Sequence, residues 1–171
     1  MDMAQDVHEN SLDEDNRRFV PDEVFETVGD AAAALRYLIS QYGGKEGPFA
    51  YPVFEKKSGE NIGYVQLVSL DKENWEIGYH IAKKHTGNGY ATEAVDAFLP
   101  VIAQAIGINE VYGICLKNNE ALKHVLLKCG FEPIFEGAGY YQGEKQVIFR
   151  SIRRISQKDA SKETYTEEEQ E

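Results

Sequence analysis

A glycine-rich segment, Thr86-Gly-Asn-Gly-Tyr-Ala-Thr92, constrains the fold of this chain more than any other feature. It follows a strand-like run at 75–81 and precedes a helix-like run at 91–106. Such a turn directs several backbone N–H groups at one point, where the helix dipole adds positive potential. Gly87 and Gly89 can adopt positive φ and let a ligand approach the backbone. The segment predicts an anion site, usually for phosphate, although a Gly-X-Gly before a helix is by itself more often an ordinary turn.

Two nucleotide-binding motifs are excluded by what surrounds these glycines. The phosphate loop of NTPases needs Gly-Lys-Ser/Thr at the helix start, whereas Gly89 is followed by Tyr-Ala. The dinucleotide fingerprint needs a third glycine, but position 92 is Thr, and no early βαβ unit surrounds the loop. The anion is therefore expected to belong to another ligand class.

Four short motifs follow one another in a fixed order: Glu76-Ile-Gly-Tyr79, Thr86-Gly-Asn-Gly-Tyr-Ala91, Asn119-Glu-Ala121 and Lys128-Cys-Gly-Phe131. Together they resemble the Gcn5-related N-acetyltransferase (GNAT) superfamily over about residues 19–153. The most similar branch is the ribosomal-protein alanine N-acetyltransferases, whose loop typically reads Gly-Lys-Gly-Tyr-Ala-Thr-Glu-Ala. The resemblance implies an acetyl-CoA-dependent N-acetyltransferase that transfers the acetyl group directly to a primary amine in a ternary complex.

The element pattern predicts an α+β fold with a mixed, mostly antiparallel central sheet flanked by helices. Helical pieces at 10–42 precede three strands in a meander, and a hairpin of strands at 131–136 and 145–152 ends the domain, with Tyr140 and Tyr141 in its loop. This is also the element order of the acyl-CoA N-acyltransferase fold. Its usual first strand is expected to be missing, because residues 1–10 are too polar and too short to supply one.

The resemblance also implies where acetyl-CoA, the donor cosubstrate, binds. Its pyrophosphate would be held by main-chain amides of the loop, its pantetheine arm would pair with the strand before the loop, and an Asn at the next helix start would contact it. These positions are Tyr79, His80, Ile81, Thr86, Gly87, Asn88, Gly89, Tyr90, Ala91, Thr92 and Asn119. Thr86 stands where Gln or Arg is usual, a departure that main-chain contacts should tolerate. Asn119 is equally suited to cap a helix.

Glu76 lies ten residues before Thr86, a spacing that resembles the family's water-relayed general base. Strand alternation places Glu76, Gly78 and His80 on one face, so that Gly78 should leave room for a substrate and His80 is the second candidate base. A solvated strand carboxylate is an equally good interpretation of Glu76.

No general acid is evident. The family's usual Ser and Tyr positions are Leu122 and Leu126, and the remaining nearby donors are Cys129, Tyr140 and Tyr141. A thiolate can leave unassisted, so catalysis stays the preferred interpretation. The alternative is a non-catalytic acyl-CoA-binding or sensor domain.

The net charge of −11 is concentrated at the ends. Residues 1–16 carry six acidic side chains and no Lys or Arg, and residues 156–171 carry six against two lysines. Charge runs of this kind are usually solvated tails. We expect one acetyltransferase domain at 1–155 and an acidic disordered tail at 156–171.

Composition limits the partners. No basic patch interleaved with aromatics predicts nucleic-acid binding, no apolar run is long enough to span a membrane, and two cysteines are too few for a disulfide framework. No metal is expected. We predict a cytoplasmic monomer or homodimer whose acceptor is a protein N-terminus or a small amine.

Overall fold

The structure, a computed structural model, describes residues 3–155. The predicted tail at 156–171 lies outside the described residues. The elements in chain order are α1 Met3–Ser11, α2 Glu14–Phe19, α3 Val28–Gln41, β1 Phe49–Phe54, β2 Asn61–Ser69, β3 Trp75–Ile81, α4 Tyr90–Ile106, β4 Glu110–Leu116, α5 Glu120–Lys128, β5 Glu132–Tyr141 and β6 Glu144–Arg154. Short 3-10 turns at Pro21–Glu23 and Lys83–His85 precede α3 and the glycine loop.

Six strands form one sheet in the order β1-β2-β3-β4-β6-β5. Every neighbouring pair is antiparallel except β3 and β4, which are parallel. The predicted α+β fold with a mixed, mostly antiparallel sheet is confirmed. Within the described residues no strand precedes α1.

The parallel pair is joined at one position only. Glu76 is in register with Tyr112, and β3 then continues to Ile81 without a further partner on β4. On its other side β3 stays paired with β2 over its whole length, from Trp75 to Ile81. The sheet therefore opens into a cleft between β3 and β4, directed toward the glycine loop.

Alternation along the strands divides buried apolar from polar side chains. Trp75 and Ile77 of β3 face the core cluster that includes Val95 and Leu99 of α4. Burying a Leu or Ile of this kind stabilises the fold by about 1.5–3 kcal/mol. Glu76, as predicted, points to the opposite face, which α1 and α3 cover.

The acidic N-terminal segment is not a solvated tail, and that expectation is wrong for residues 3–16. Helix α1 packs against α3 and β2, and Asn10 Nδ2 donates to the Asn61 carbonyl at 2.9 Å. Asp13 caps α2, its Oδ1 accepting from Asn16 N at 2.8 Å. An acidic residue at an N-cap stabilises a helix, so Asp13 contributes to the folded domain.

The final hairpin is longer than predicted, and Tyr140 and Tyr141 belong to β5 rather than to a loop. The turn consists of Gln142 and Gly143, both at positive φ (50° and 81°), as a two-residue hairpin turn requires. The loop prediction was wrong because Gly137 and Gly139 are residues typical of loops, although both lie in β5. A Cβ at Gly139 would lie 2.4 Å from Ile148 Cδ1, so this glycine instead admits a cross-strand side chain.

In residues 3–155 there is no helix with both the length and the apolarity that crossing a bilayer demands.

Candidate active site

The glycine loop leaves the start of α4 free of side-chain caps. Gly87 and Gly89 have φ of 82° and 84°, and apart from their own neighbours in the chain no atom of residues 3–155 comes within 4 Å of where their Cβ atoms would be. Gly89 is the N-cap and supplies no side-chain hydrogen bond to the first turn. The first N–H groups of an α-helix have no partner within the helix. They are therefore available to an anion lying in the open space beside the glycines.

Hydrogen bonds from three side chains hold this loop in place. Thr86 Oγ1 donates to the Lys83 carbonyl at 2.9 Å, and Asn88 Nδ2 donates to the His85 carbonyl at 3.0 Å. Tyr90 OH donates to Glu55 Oε1, which lies in the turn after β1, at 2.8 Å. The Thr86 and Asn88 side chains are thus engaged with the loop's own backbone.

A groove of about 710 Å³ runs along this loop, bordered also by β3, α2 and the first turn of α5. The structure brings ten of the eleven predicted acetyl-CoA residues together in its wall; the exception is Asn88. The ten are Tyr79, His80, Ile81, Thr86, Gly87, Gly89, Tyr90, Ala91, Thr92 and Asn119.

Asn119 has a structural role as well as a place in the groove. Its Oδ1 accepts from Leu122 N at 3.1 Å, which makes it the N-cap of α5. Capping holds the amide in one orientation at the groove wall, and the amide's NH2 group is not used by the cap.

Glu76 lies outside the groove wall and is partly buried, so its carboxylate is only partly solvated. Burial raises its pKa to about 7, the charge of Glu23 adds to the rise, and Arg150 opposes it. Within residues 3–155 no hydrogen-bond donor reaches its carboxylate. A carboxyl group with this pKa is partly ionised near neutral pH and can both accept and release a proton.

A second carboxyl group with a raised pKa, Glu23, was not anticipated from the sequence. Its Oε1 accepts from Gln66 Nε2 at 2.7 Å, while its Oε2 is buried and has no partner in the described part of the chain. Burial raises its pKa to about 7. The Gln66 side chain lies 3.0 Å from where a Cβ of Gly78 would be, so it fills the room expected above Gly78. No local signal marks Glu23, which lies in a 3-10 turn far from the motifs.

Arg150 and Tyr141 complete the same face from the last hairpin. The Arg150 guanidinium lies 5.2 Å above the Tyr112 ring, and its buried Nε lacks a partner among residues 3–155. Burial raises the pKa of Tyr141, with the charge of Glu76 contributing. Gln142 Nε2 donates to Asp22 Oδ1 at 2.8 Å, so the hairpin tip is tied to the segment that carries Glu23.

His80, the second candidate base, packs against the N-terminal helices. Its Nε2 lies 3.2 Å from the Asn10 carbonyl and 3.5 Å from Asp13 Oδ2. Burial lowers its pKa, although Asp13 opposes the effect.

The general acid remains unassigned at the positions first considered. Leu126 is fully buried and Leu122 packs against the core. Cys129 is buried, and burial raises the pKa of its thiol to about 12. Tyr79 OH, however, donates to the Leu122 carbonyl at 2.9 Å. A phenol on the groove wall thus lies beside the position where the family usually has Ser.

Among residues 3–155, no three His, Cys, Asp or Glu side chains are grouped so as to hold a metal ion.

Comparison with known families assigns this architecture. The acetyltransferase (GNAT) domain family matches residues 2–132, so the chain belongs to the GNAT acetyltransferase family. Its similarity to one curated member, the uncharacterized N-acetyltransferase YoaA of Bacillus subtilis, is 27% identity over 112 residues. That match covers 64% of this chain and 63% of YoaA.

Solved structures share the fold at low sequence identity. A GNAT-family acetyltransferase from Bacillus anthracis superposes with a TM-score of 0.72 at 21% identity, covering 88% of each chain. RimL, a ribosomal L7/L12 alpha-N-protein acetyltransferase solved in complex with coenzyme A, has a TM-score of 0.72 at 18% identity, covering 92% of this chain and 88% of RimL. The predicted resemblance to the GNAT superfamily is thereby confirmed, and its fold is one that a ribosomal-protein acetyltransferase also has.

Proposed function

We propose that this protein transfers the acetyl group of acetyl-CoA directly to a primary amine. One observation carries the proposal: β3 pairs with β4 only at Glu76, separates from it beyond that point, and leads into the uncapped start of α4, which lines the groove. The loop fits a diphosphate, since the first N–H groups of α4 have no partner within the helix and the glycines leave open space. The β4-facing backbone of β3 beyond Glu76 fits the amides of a pantetheine arm.

Glu76 is the proposed general base. The amine arrives protonated, and only its neutral form attacks a thioester. A base is most effective when its pKa lies near the working pH, which for Glu76 is about 7. His80 is the less suitable base, because its Nε2 already faces Asn10 and Asp13.

Tyr79 is the proposed proton donor to the departing thiolate. Its hydroxyl lies at Leu122, three residues after Asn119, and its side chain borders the groove. The phenol is protonated at neutral pH, but burial raises its pKa and makes it a weaker acid, so its proposed role rests on its position. Tyr79→Phe should therefore lower kcat while leaving the affinity for acetyl-CoA nearly unchanged.

The acceptor is a primary amine of a protein N-terminus or of a small molecule. RimL is an alpha-N-protein acetyltransferase, and the microcin C7 self-immunity acetyltransferase MccE shares the fold in a complex with acetyl-CoA and AMP. We further propose that the enzyme works in the cytoplasm as a monomer or homodimer, without a metal.

The decisive assay follows thiol release from acetyl-CoA over a panel of amines and peptide N-termini, with calorimetry of acetyl-CoA in parallel. Transfer to at least one amine, together with loss of transfer in Glu76→Gln at unchanged acetyl-CoA affinity, supports the proposal. Acetyl-CoA binding without transfer to any amine would favour a non-catalytic acyl-CoA-binding domain, which the apolar side chains at 122 and 126 also suit.

A further inference from the structure

A second cavity, of about 370 Å³, lies on the opposite side of His80 from the acetyl-CoA groove. Its walls are side chains of α1, α3 and the neighbouring strands, among them Val7, Phe25, Leu35, Leu38 and Tyr64. His80 borders both spaces. Cavities of roughly 300–1,000 Å³ with mostly apolar walls and few polar groups are typical of small-molecule sites.

Glu23 and Gln66 are among the polar residues that line this cavity, and the buried Glu23 Oε2 has no partner in the described chain. The amides in the wall are already engaged: Asn10 donates to the Asn61 carbonyl, and Asn61 Nδ2 donates to the Gly63 carbonyl at 3.1 Å. Asp22 also lines the cavity, but it is exposed and accepts from Gln142. Glu23 therefore supplies the buried acceptor for an incoming donor.

The cavity is open to solvent beside α3. Tyr37 and Ile39 line it and are 56% and 54% exposed, and Tyr42 and Tyr51, whose stacked ring centroids lie 4.9 Å apart, line it as well. A ligand can thus enter from this side, while the groove at the glycine loop stays free for the donor.

We infer that this cavity is the acceptor site for a small apolar primary amine, whose ammonium group binds the Glu23 carboxylate and whose apolar body lies between α3 and the sheet. The inference rests on the proposed function and narrows its substrate class. A cation is complementary to the buried, unpartnered Glu23 Oε2, and apolar walls are complementary to an aryl or alkyl body. Glu23 is bonded to Gln66, whose side chain lies against Gly78, and Gly78 is two residues from Glu76 on the same face of β3.

A polypeptide N-terminus fits this cavity poorly. Each residue that entered would bring an N–H and a C=O group, and buried groups of this kind cost free energy unless they are hydrogen-bonded. The wall offers few free polar partners, because its amides are bonded to the protein's own backbone. Of the two acceptor classes, the small amine is the one that the cavity accommodates.

The first test fills the cavity. Ala34 of α3 lines it, whereas its neighbour Ala33 is exposed and does not, so Ala34→Trp and Ala33→Trp form a matched pair. The probe is 2-phenylethylamine. Calorimetry measures its binding, and thiol release from acetyl-CoA measures its acetylation. We expect Ala34→Trp to weaken its binding and kcat/KM about 10- to 200-fold, the range over which apolar pockets discriminate, and Ala33→Trp to leave both unchanged. Acetyl-CoA affinity and circular dichroism report whether each variant is folded. Ala34→Met is the milder substitution, to be used if Ala34→Trp does not fold.

The second test removes the charge. Glu23→Gln should weaken 2-phenylethylamine binding at least about tenfold. Glu14→Gln, an exposed site, should have no effect. The inference is overturned if 2-phenylethylamine does not bind wild type, or if Ala34→Trp folds and binds it unchanged. Transfer to an N-terminal Ala or Ser peptide in preference to 2-phenylethylamine overturns the inference and leaves the proposed function standing. Binding that Ala34→Trp abolishes, with no transfer to any amine, supports the cavity and overturns the proposed function.

Discussion

The polar groups on the two faces of the sheet come from differently arranged parts of the chain. On the face covered by α4 and α5, the groove wall includes two contiguous stretches, 79–81 and most of 86–92, and the glycine loop there offers backbone groups. On the face covered by α1 to α3, Glu23, Gln66, Glu76 and Arg150 come from four elements, and their side chains act directly. The donor side therefore tolerates side-chain changes, whereas the acceptor side is sensitive to each of them.

The largest effect is expected at Glu76, where a single carboxylate is proposed to act. Glu76→Gln keeps the size of the side chain and removes its basicity. Loss of a general base typically lowers the rate by about 10²–10⁴-fold, here in kcat/KM with acetyl-CoA affinity unchanged. Glu73→Gln, in the exposed turn before β3, is the control. If Glu76→Gln keeps activity within about twofold while His80→Ala loses it, the base is His80.

The two carboxyl groups with raised pKa values, Glu23 and Glu76, also predict how stability depends on pH. Their pKa values in the folded state are raised to about 7. The folded protein therefore binds more protons than the unfolded chain between the ordinary carboxyl pKa and pH 7. Stability is full below the ordinary pKa and falls as pH rises toward 7 and slightly beyond.

Denaturant unfolding at pH 5 and pH 8 measures this loss. Glu23→Gln should remove about 1–3 kcal/mol of it, at 1.36 kcal/mol per unit of pKa shift. An unchanged pH dependence in this variant would show that Glu23 is not the titrating group. Glu76→Gln tests the second group in the same way.

On the donor side the backbone conformation is what matters. Gly89→Val puts a β-branched residue at a φ of 84° and a side chain into the open space beside α4. The strain alone costs about 1–2 kcal/mol, so acetyl-CoA affinity should fall about tenfold or more. Thr86→Ala should change the affinity little, because the Thr86 side chain bonds its own loop. Calorimetry that gave equal affinities for wild type and Gly89→Val would contradict the proposed pyrophosphate site.

The smallest effect is expected from removing residues 156–171. They carry six acidic side chains against two lysines and lie beyond the last strand. Acetyl-CoA affinity and transfer rate should stay within about twofold of wild type, as is usual for solvated charge runs. Loss of binding or activity would assign these residues to the site. The N-terminal acidic segment is different, since α1 packs against α3 and β2.

The sequence predicted the glycine-loop region better than the face that carries Glu23 and Glu76. The strand–loop–helix unit around Gly89 and the cap at Asn119 were predictable, because a few adjacent residues determine them. Glu23 was not, because only tertiary folding brings it to Gln66, 43 residues away. Tyr141 was placed in a loop, since Gly139 gives no local sign that it serves a cross-strand contact with Ile148.

The single register pair between Glu76 and Tyr112 has a thermodynamic consequence. It leaves the sheet as two three-stranded parts, and no strand within residues 3–155 pairs with the backbone groups of β3 beyond Glu76 that point away from β2. A ligand whose amides lie opposite these β3 backbone groups would hydrogen-bond to them and bridge the two parts of the sheet. Ligands that bind only the folded state raise its stability by mass action. The melting temperature should therefore rise with the concentration of coenzyme A. The thermal stability of this protein would then depend on how much coenzyme A is present.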